Sequence, residues 1–131
     1  MTAPTVTIND IKSIINDKDI RHIKIGITDF NGVIRGKYIS KQKLFSGLEK
    51  GLSFCDVILG SDINDELIPG MKSTGWHTGY PDAPIRIIPE SIRLIPFEDS
   101  TLFFLCEFTD HASKICPRQL LKNIIARAEK H

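Results

Sequence analysis

The sequence predicts an α+β fold in which a mixed sheet packs on a helix. Three observations carry it. The apolar period changes from helical to alternating and back to helical within the first fifty residues. An Asn-Gly pair falls between two strand-like runs. The later strand-like runs follow one another without intervening helices, which argues against a doubly wound sheet. Hairpin, helix and then further strands is the order of a β-grasp domain.

In chain order, Thr7 is a good N-cap, and Asp10 three residues on makes a carboxylate version of the capping box. Ile8, Ile11, Ile14 and Ile15 share a face, so residues 8–16 read as a short amphipathic helix. Ile23, Ile25 and Ile27 alternate with Lys24, Gly26 and Thr28, the rhythm of a half-buried strand. Asn31-Gly32 predicts a hairpin turn with both central residues at positive φ, and Val33 to Ile39 the returning strand. Ser40 then caps a second helix with Leu44, Phe45 and Leu48 on one face and Gly51 as its stop.

Between Leu52 and Tyr80 only Val57-Ile58-Leu59 suggests a strand. The rest reads as a long loop punctuated by Gly60, Pro69, Gly70, Gly75 and Gly79, and loops of that length inside a domain are usually functional or disordered. Strands are expected at Ile85–Ile88, Ile92–Ile95 and Leu102–Phe108, with Pro84, Pro89 and Pro96 at their edges. Pro117 opens a last helix with Leu120, Leu121, Ile124, Ile125 and Ala128 on one face. That stripe still runs at His131 without a cap, which fits either a terminal helix docked on its own sheet or the front of a longer chain.

A length of 131 residues fits one domain. With 41% hydrophobic and 25% charged residues the composition is globular, not disordered. Seventeen basic against sixteen acidic residues leave a net charge of +1, without a footprint for nucleic acid or an anionic membrane. Three cysteines without a Cys-x-x-Cys pair are neither a disulfide framework nor a zinc site, and suit a reducing compartment. The first seven residues lack the basic and apolar regions of a signal peptide, and the longest apolar runs fall short of the about 20 residues that span a bilayer. A cytoplasmic location is expected.

Few residue patterns point to chemistry. Gly32-Val-Ile-Arg35-Gly36-Lys37-Tyr38 is one residue too short for a phosphate loop, has Tyr where Ser or Thr would hold magnesium, and lies in a hairpin. Asp62-Ile-Asn64-Asp65-Glu66 starts like a calcium loop, but Leu67 and Ser73 replace the required Gly and Glu. Asp62, Asp65 and Glu66 remain as carboxylates able to attract a cation, against the plainer account of a solvated acidic loop. Arg35 and Lys37, two apart on one strand, are either solvated charges or a clamp for a carboxylate or phosphate. The four histidines make no ligand pair. Cys55 has no activating neighbour, so an inert thiol is expected. Trp76-His77 suggests a ligand surface, though a tryptophan anchoring the loop on the core is the commoner role.

From about Ile20 to Arg127 the chain resembles the N-terminal β-grasp domain of the glutamine synthetase family, ligases that join glutamate to ammonia or an amine using ATP. The matching segments are Asp29-Phe-Asn-Gly32-Val-Ile-Arg35-Gly36-Lys37, Gly79-Tyr-Pro81-Asp82-Ala-Pro-Ile-Arg86-Ile-Ile-Pro89-Glu90 and Ile92-Arg93-Leu-Ile-Pro96-Phe97. Cys116-Pro117-Arg118 with Leu120-Leu121 matches the helix that opens the family's catalytic domain. The Gly-x-x-Arg-Gly-Lys element resembles the branch of γ-glutamylpolyamine and related γ-glutamyl-amide ligases. Phe54-Cys55-Asp56-Val57 stands where the housekeeping enzymes have Asp-Gly-Ser-Ser, and Glu90 and Phe97 where Asp and Trp are common.

The resemblance implies a helical segment over residues 1–19, the β-grasp domain over 20–112 and the start of a catalytic domain over 113–131. It implies ATP and Mg or Mn, with their ligands on the large domain that this chain lacks. It also implies a homo-oligomeric ring in which the β-grasp domain meets the catalytic domain of a neighbouring subunit and lends it a loop. An Asp on that loop holds the ammonium and takes its proton before attack on γ-glutamyl phosphate. Asp62 is the preferred position, Asp56 the alternative, with Arg35 and Lys37 as weaker substrate-binding candidates. Alone, the chain is expected to be inactive. The rival reading is a stand-alone β-grasp interaction module without catalysis.

Overall fold

The computed structural model describes residues 5–130. The reading of an apolar stripe continuing into His131 and part of the N-terminal segment lie outside them.

Helix α1 runs Ile8–Asp17, and its capping box is as the sequence predicts: Asp10 N–H donates to Thr7 Oγ1 at 3.2 Å, and Thr7 N–H donates to Asp10 Oδ2 at 2.8 Å. Strand β1 (His22–Thr28) turns into β2 (Ile34–Ile39), and α2 (Lys41–Lys50) follows, capped by Ser40 and ended at Gly51, φ 78°. Next come β3 (Leu52–Cys55), a 3-10 turn over Asp56–Leu59, β4 (Asp82–Ile87), a second 3-10 turn over Pro89–Ser91, β5 (Arg93–Leu94) and β6 (Thr101–Phe108). Helices α3 (Asp110–Ser113) and α4 (Pro117–Ala128) complete the chain. The sheet order is β2-β1-β6-β4-β3, with β5 on β6. It is mixed, since β1 and β6 run parallel, Ile23 opposite Leu102 and Ile25 opposite Phe104, while β5 pairs antiparallel with β6. The α+β class with a mixed sheet is therefore borne out.

Two compact units divide the chain. The first comprises Met1–Gly26, Gly36–Leu52 and Arg86–Cys106. It buries Ile11, Ile15, Ile20, Ile23, Ile25, Leu44, Leu102 and Phe104, which draws on both early helices and the parallel strand pair. Gly36 is required there, because a Cβ would meet the Ile25 carbonyl oxygen at 2.7 Å. A polar cluster lies in the same unit: Lys24 Nζ donates to Glu98 and stands over the Tyr38 ring, whose hydroxyl donates to Glu98 Oε2 at 2.8 Å. Lys24 first, then Tyr38, holds the Glu98 carboxyl below its ordinary 4.5. Stability from that carboxylate is therefore present above pH 4.5 and lost as pH falls through the folded value. Urea midpoints of wild type and Glu98→Gln should differ at neutral pH and converge on acidification below 4.5; a gap unchanged at acid pH would contradict this.

The second unit comprises Ile27–Arg35, Ser53–Ile85 and Glu107–His131, and among its described residues buries Ile27, Leu59, Ala83, Ile85, Phe108 and Cys116.

Several expectations change. Val57–Leu59 forms part of a 3-10 turn, not a strand: Gly60 N–H closes back onto Val57 O at 2.9 Å, and Asp56 is drawn inside by Thr74. The Asn31-Gly32 turn has positive φ at Gly32 only, 82°. Asp29 N–H pairs with Val33 O at 2.8 Å, so three residues form the loop, and that length puts a single left-handed glycine at its end. Pro84 sits inside β4, not at a strand edge. Its carbonyl takes the Thr109 N–H at 3.0 Å, just past the end of β6, where the sheet needs no proline N–H. The strand expected over Ile92–Ile95 is only two residues long.

Candidate functional site

The long Gly-rich segment is ordered by its own short-range bonds. Ser61 and Leu67 pair as an antiparallel bridge and close a small hairpin around Asp62–Glu66. Asp62 builds the tip: its Oδ1 accepts the N–H of Asn64 at 2.8 Å and of Glu66 at 3.0 Å, while its N–H reaches Glu66 O. Asp65 holds φ 64°, a left-handed conformation that Asp tolerates better than most side chains.

Arg35 ties this tip to the β1–β2 loop. Its Nε donates to Asp29 Oδ2 at 2.9 Å, one terminal nitrogen to Asp65 Oδ1 at 2.6 Å and the other to Asp62 O at 3.3 Å. Asp29 is fully buried, and its other oxygen accepts the N–H of Asn31 at 2.8 Å and of Val33 at 2.9 Å. The Asp29 hydrogen bond raises the Arg35 proton affinity further, with burial working against it and Asp65 adding to it. Thus the guanidinium proposed from sequence as a substrate clamp is engaged by two carboxylates of the chain itself. Lys37 is exposed on β2.

The two candidate aspartates differ in access. Asp56 is buried, Oδ1 accepting from the Thr74 hydroxyl at 2.8 Å. Asp62 is half-buried, and its Oδ2 accepts no hydrogen bond from the described residues. Sequence reading missed Asp29 and Thr74. For Asp29 the signal was present, since an Asp two residues before Asn-Gly can cap the turn with its side chain. Nothing local flags Thr74, whose partner lies eighteen residues away.

Trp76 does not anchor the loop. It is 83% exposed, and its ring meets the Tyr80 ring edge-on, centroids 5.3 Å apart. Cys55 Sγ donates to Tyr80 O at 3.3 Å, and burial pushes the Cys106 thiol up to about 12, so neither is an activated nucleophile.

The divalent metal implied by the resemblance finds no ligand set among the described residues. Among the described residues no group of three or more His, Cys, Asp or Glu stands together to hold a metal ion. Asp65 is spent on Arg35, and Asp62 Oδ1 on its own loop. No helix among the described residues is long and apolar enough to cross a membrane.

Fold and loop together define an α+β domain whose mixed sheet carries a pinned acidic hairpin. The resemblance to the glutamine synthetase family read from the motifs is borne out along most of the chain. Over 112 residues it is 41% identical to type-1 glutamine synthetase 2 of Dictyostelium discoideum, covering 83% of this chain and 22% of that protein. It is 30% identical over 126 residues to glutamate–isopropylamine ligase of a Pseudomonas species, covering 92% and 27%. A third relative is γ-glutamylethanolamide synthetase GlnA4 of Streptomyces coelicolor, 24% identical over 132 residues, covering 98% and 29%. The chain thus spans only 22–29% of the curated relatives it matches. Among solved structures, GmaS in complex with ADP superposes with a TM-score of 0.67 at 24% identity, and ligand-free GmaS with 0.65 at 25%. Each covers 92% of this chain and 26% of GmaS. No protein-family model matches the chain.

Proposed function

We propose that this chain is the N-terminal domain of a glutamine synthetase-family ligase, an enzyme that amidates glutamate with ammonia or an amine at the expense of ATP. In this reading residues 20–112 are the β-grasp domain and 113–131 open the catalytic domain. The observation that carries it is the coverage: 83–98% of this chain aligns with only 22–29% of each relative. The exposed apolar face of α4 agrees with it. Leu120, Leu121, Ile124 and Ile125 are 46–62% exposed, and no residue of α4 is buried.

The part played by this domain is to present the 61–67 hairpin to the catalytic domain of a neighbouring subunit in a homo-oligomeric ring. There Asp62 holds the ammonium and removes its proton, which an amine must lose before it attacks an acyl phosphate. Its unbonded Oδ2 and partial exposure favour it over the enclosed Asp56. Arg35 serves the substrate indirectly, by holding the hairpin; Lys37 stays a candidate contact. ATP and Mg or Mn are held by the larger domain, and a cytoplasmic place in nitrogen metabolism and glutamine biosynthesis follows.

Purified as these 131 residues, the chain should produce no phosphate from ATP, glutamate and an amine. Turnover above the background of the Asp62→Ala variant would overturn the reading. A companion expectation concerns α4: Ile124→Glu should shift the unfolding free energy of the isolated chain by no more than about 0.5 kcal/mol, as for other exposed positions. The same substitution in a chain carrying the catalytic domain should be strongly destabilising, because the stripe is then covered.

A further inference from the structure

Two buried polar side chains have no part in the proposed chemistry: Asp56 and Thr74 are 3% and 1% exposed. Both belong to the second unit, as does the hairpin that carries Asp62. Thr74 Oγ1 donates to Asp56 Oδ1 at 2.8 Å. Asp56 is fixed from its own side as well, since its N–H donates to Pro81 O at 3.1 Å and the 3-10 turn that it opens ends at Gly60. Thr74 leads into a turn closed by Thr78, whose hydroxyl donates to Gly75 O at 2.8 Å and accepts the Gly75 N–H at 3.1 Å.

A threonine is stiff about its one side-chain torsion, so its hydroxyl and its methyl cannot be aimed independently. With Oγ1 committed to Asp56, the methyl stands against Gly60: a Cβ added there would meet Thr74 Cγ2 at 2.5 Å. The Gly60 backbone does not itself call for glycine, because φ −132° lies outside the left-handed region. Glycine is needed at this position for space. Gly60 is also the first rung of the acidic hairpin, its carbonyl accepting the Ile68 N–H at 2.9 Å beside the Ser61–Leu67 bridge. Arg35 thus holds the hairpin at its tip, and the Thr74 methyl seats it at its base.

We propose that Thr74 is a positioning residue for Asp62, a wedge that Asp56 orients through its hydrogen bond and that fixes the base of the 61–67 hairpin. The inference rests on the ligase reading for the use to which Asp62 is put. It makes Asp56 the partner of Asp62 and not its rival: the buried carboxylate aims the wedge, and the half-buried one meets the amine.

Hydrogen exchange in the 131-residue chain tests the wedge at the amides of Asn64 and Glu66, which both donate to Asp62 Oδ1. Gly60→Ala should quicken both at least about tenfold, and the β1 amides of Ile23 and Ile25 much less. Gly60→Ala/Thr74→Ser, which removes the methyl and keeps the hydroxyl, should return them to within about twofold of the wild-type rates. Asp56→Ala should quicken the same amides, and Asp56→Asn, which keeps an acceptor oxygen for the Thr74 hydroxyl, should do so less. Unchanged exchange in Gly60→Ala, or no recovery in the double variant, overturns the wedge and leaves the ligase reading standing. In a chain carrying the catalytic domain, Gly60→Ala should raise the KM for the amine at least about tenfold and that for ATP by no more than about twofold, with recovery in the double variant. An amine KM that stays put while exchange quickens overturns the role of Asp62 in that reading and leaves the wedge standing.

Discussion

Replacing Asp29 with alanine should lower the unfolding free energy by about 2–4 kcal/mol, far more than a substitution at an exposed aspartate. Three groups depend on this one carboxylate: the N–H of Asn31, the N–H of Val33 and Arg35 Nε, all within 2.9 Å. The turn amides resemble those of a helix start that loses its cap, a loss of about 1 kcal/mol. The larger share comes from a guanidinium whose inner partner disappears while the chain still encloses much of it. Asparagine is not a full substitute. A carboxamide has one acceptor oxygen and one donor nitrogen, and this position needs an acceptor on both sides, so Asp29→Asn should cost roughly half as much. Urea unfolding measures both, with an unchanged slope marking a true loss of stability. If Asp29→Ala melts together with Asp19→Ala, whose side chain is 78% exposed, the turn does not depend on Asp29. Amide exchange across residues 61–67 should quicken in the same variant, because Arg35 then holds Asp65 and Asp62 from an unanchored position.

What could be read from the sequence divides by the range of the interaction responsible. The Thr7 and Ser40 caps, Gly51 and Pro117 act within one turn, so α1, α2 and the start of α4 fall close to where local chemistry places them. Alternation marked β1, and parallel pairing with β6 followed from strand order only after the sheet was seen. Strand β3 was not anticipated, since a four-residue Leu-Ser-Phe-Cys run is too short to show a period. Val57–Leu59 looked like a strand because apolar residues in a run do not reveal whether burial comes from a sheet or a turn. At the site, Asp62 and Arg35 were visible as candidates, but their partnership spans nearly thirty residues and depends on a hairpin closed by Ser61 and Leu67. Arg35 accordingly reads as an organiser of the acidic loop, a role that two charges spaced along one strand do not disclose.

A similar long-range pair holds α4, and its removal is the second large effect expected. The helix has twelve residues, about the length at which an isolated helix is marginal in water, and none of them is buried. Its apolar face therefore contributes little to its docking in this chain. Beyond its buried Cys116 cap, the attachment visible in the structure is polar: Glu107, next to last in β6 and 2% exposed, accepts from Lys122 Nζ at 2.9 and 3.3 Å, with Arg118 Nε 3.6 Å away. The two ends are unequal. Lys122 is 43% exposed and can return to water, whereas the Glu107 side chain is only 3% exposed. Hence Lys122→Met, which removes one of the cations around the buried Glu107 carboxylate, should cost about 1 kcal/mol, and Glu107→Gln, which keeps an acceptor and removes the charge, about 1–2 kcal/mol. In both variants amide protection across Pro117–Ala128 should fall more than protection in β1 or β6, because a helix released from its ion pair has little else to hold it. The double variant Glu107→Gln/Lys122→Met measures the pair: with the carboxylate charge already gone, losing Lys122 should cost less than it does in the wild type, giving a favourable coupling between the two sites. If instead Lys122→Met unfolds at the wild-type midpoint and α4 keeps its protection, the helix is held by something other than this pair, and the apolar stripe is the place to look for it.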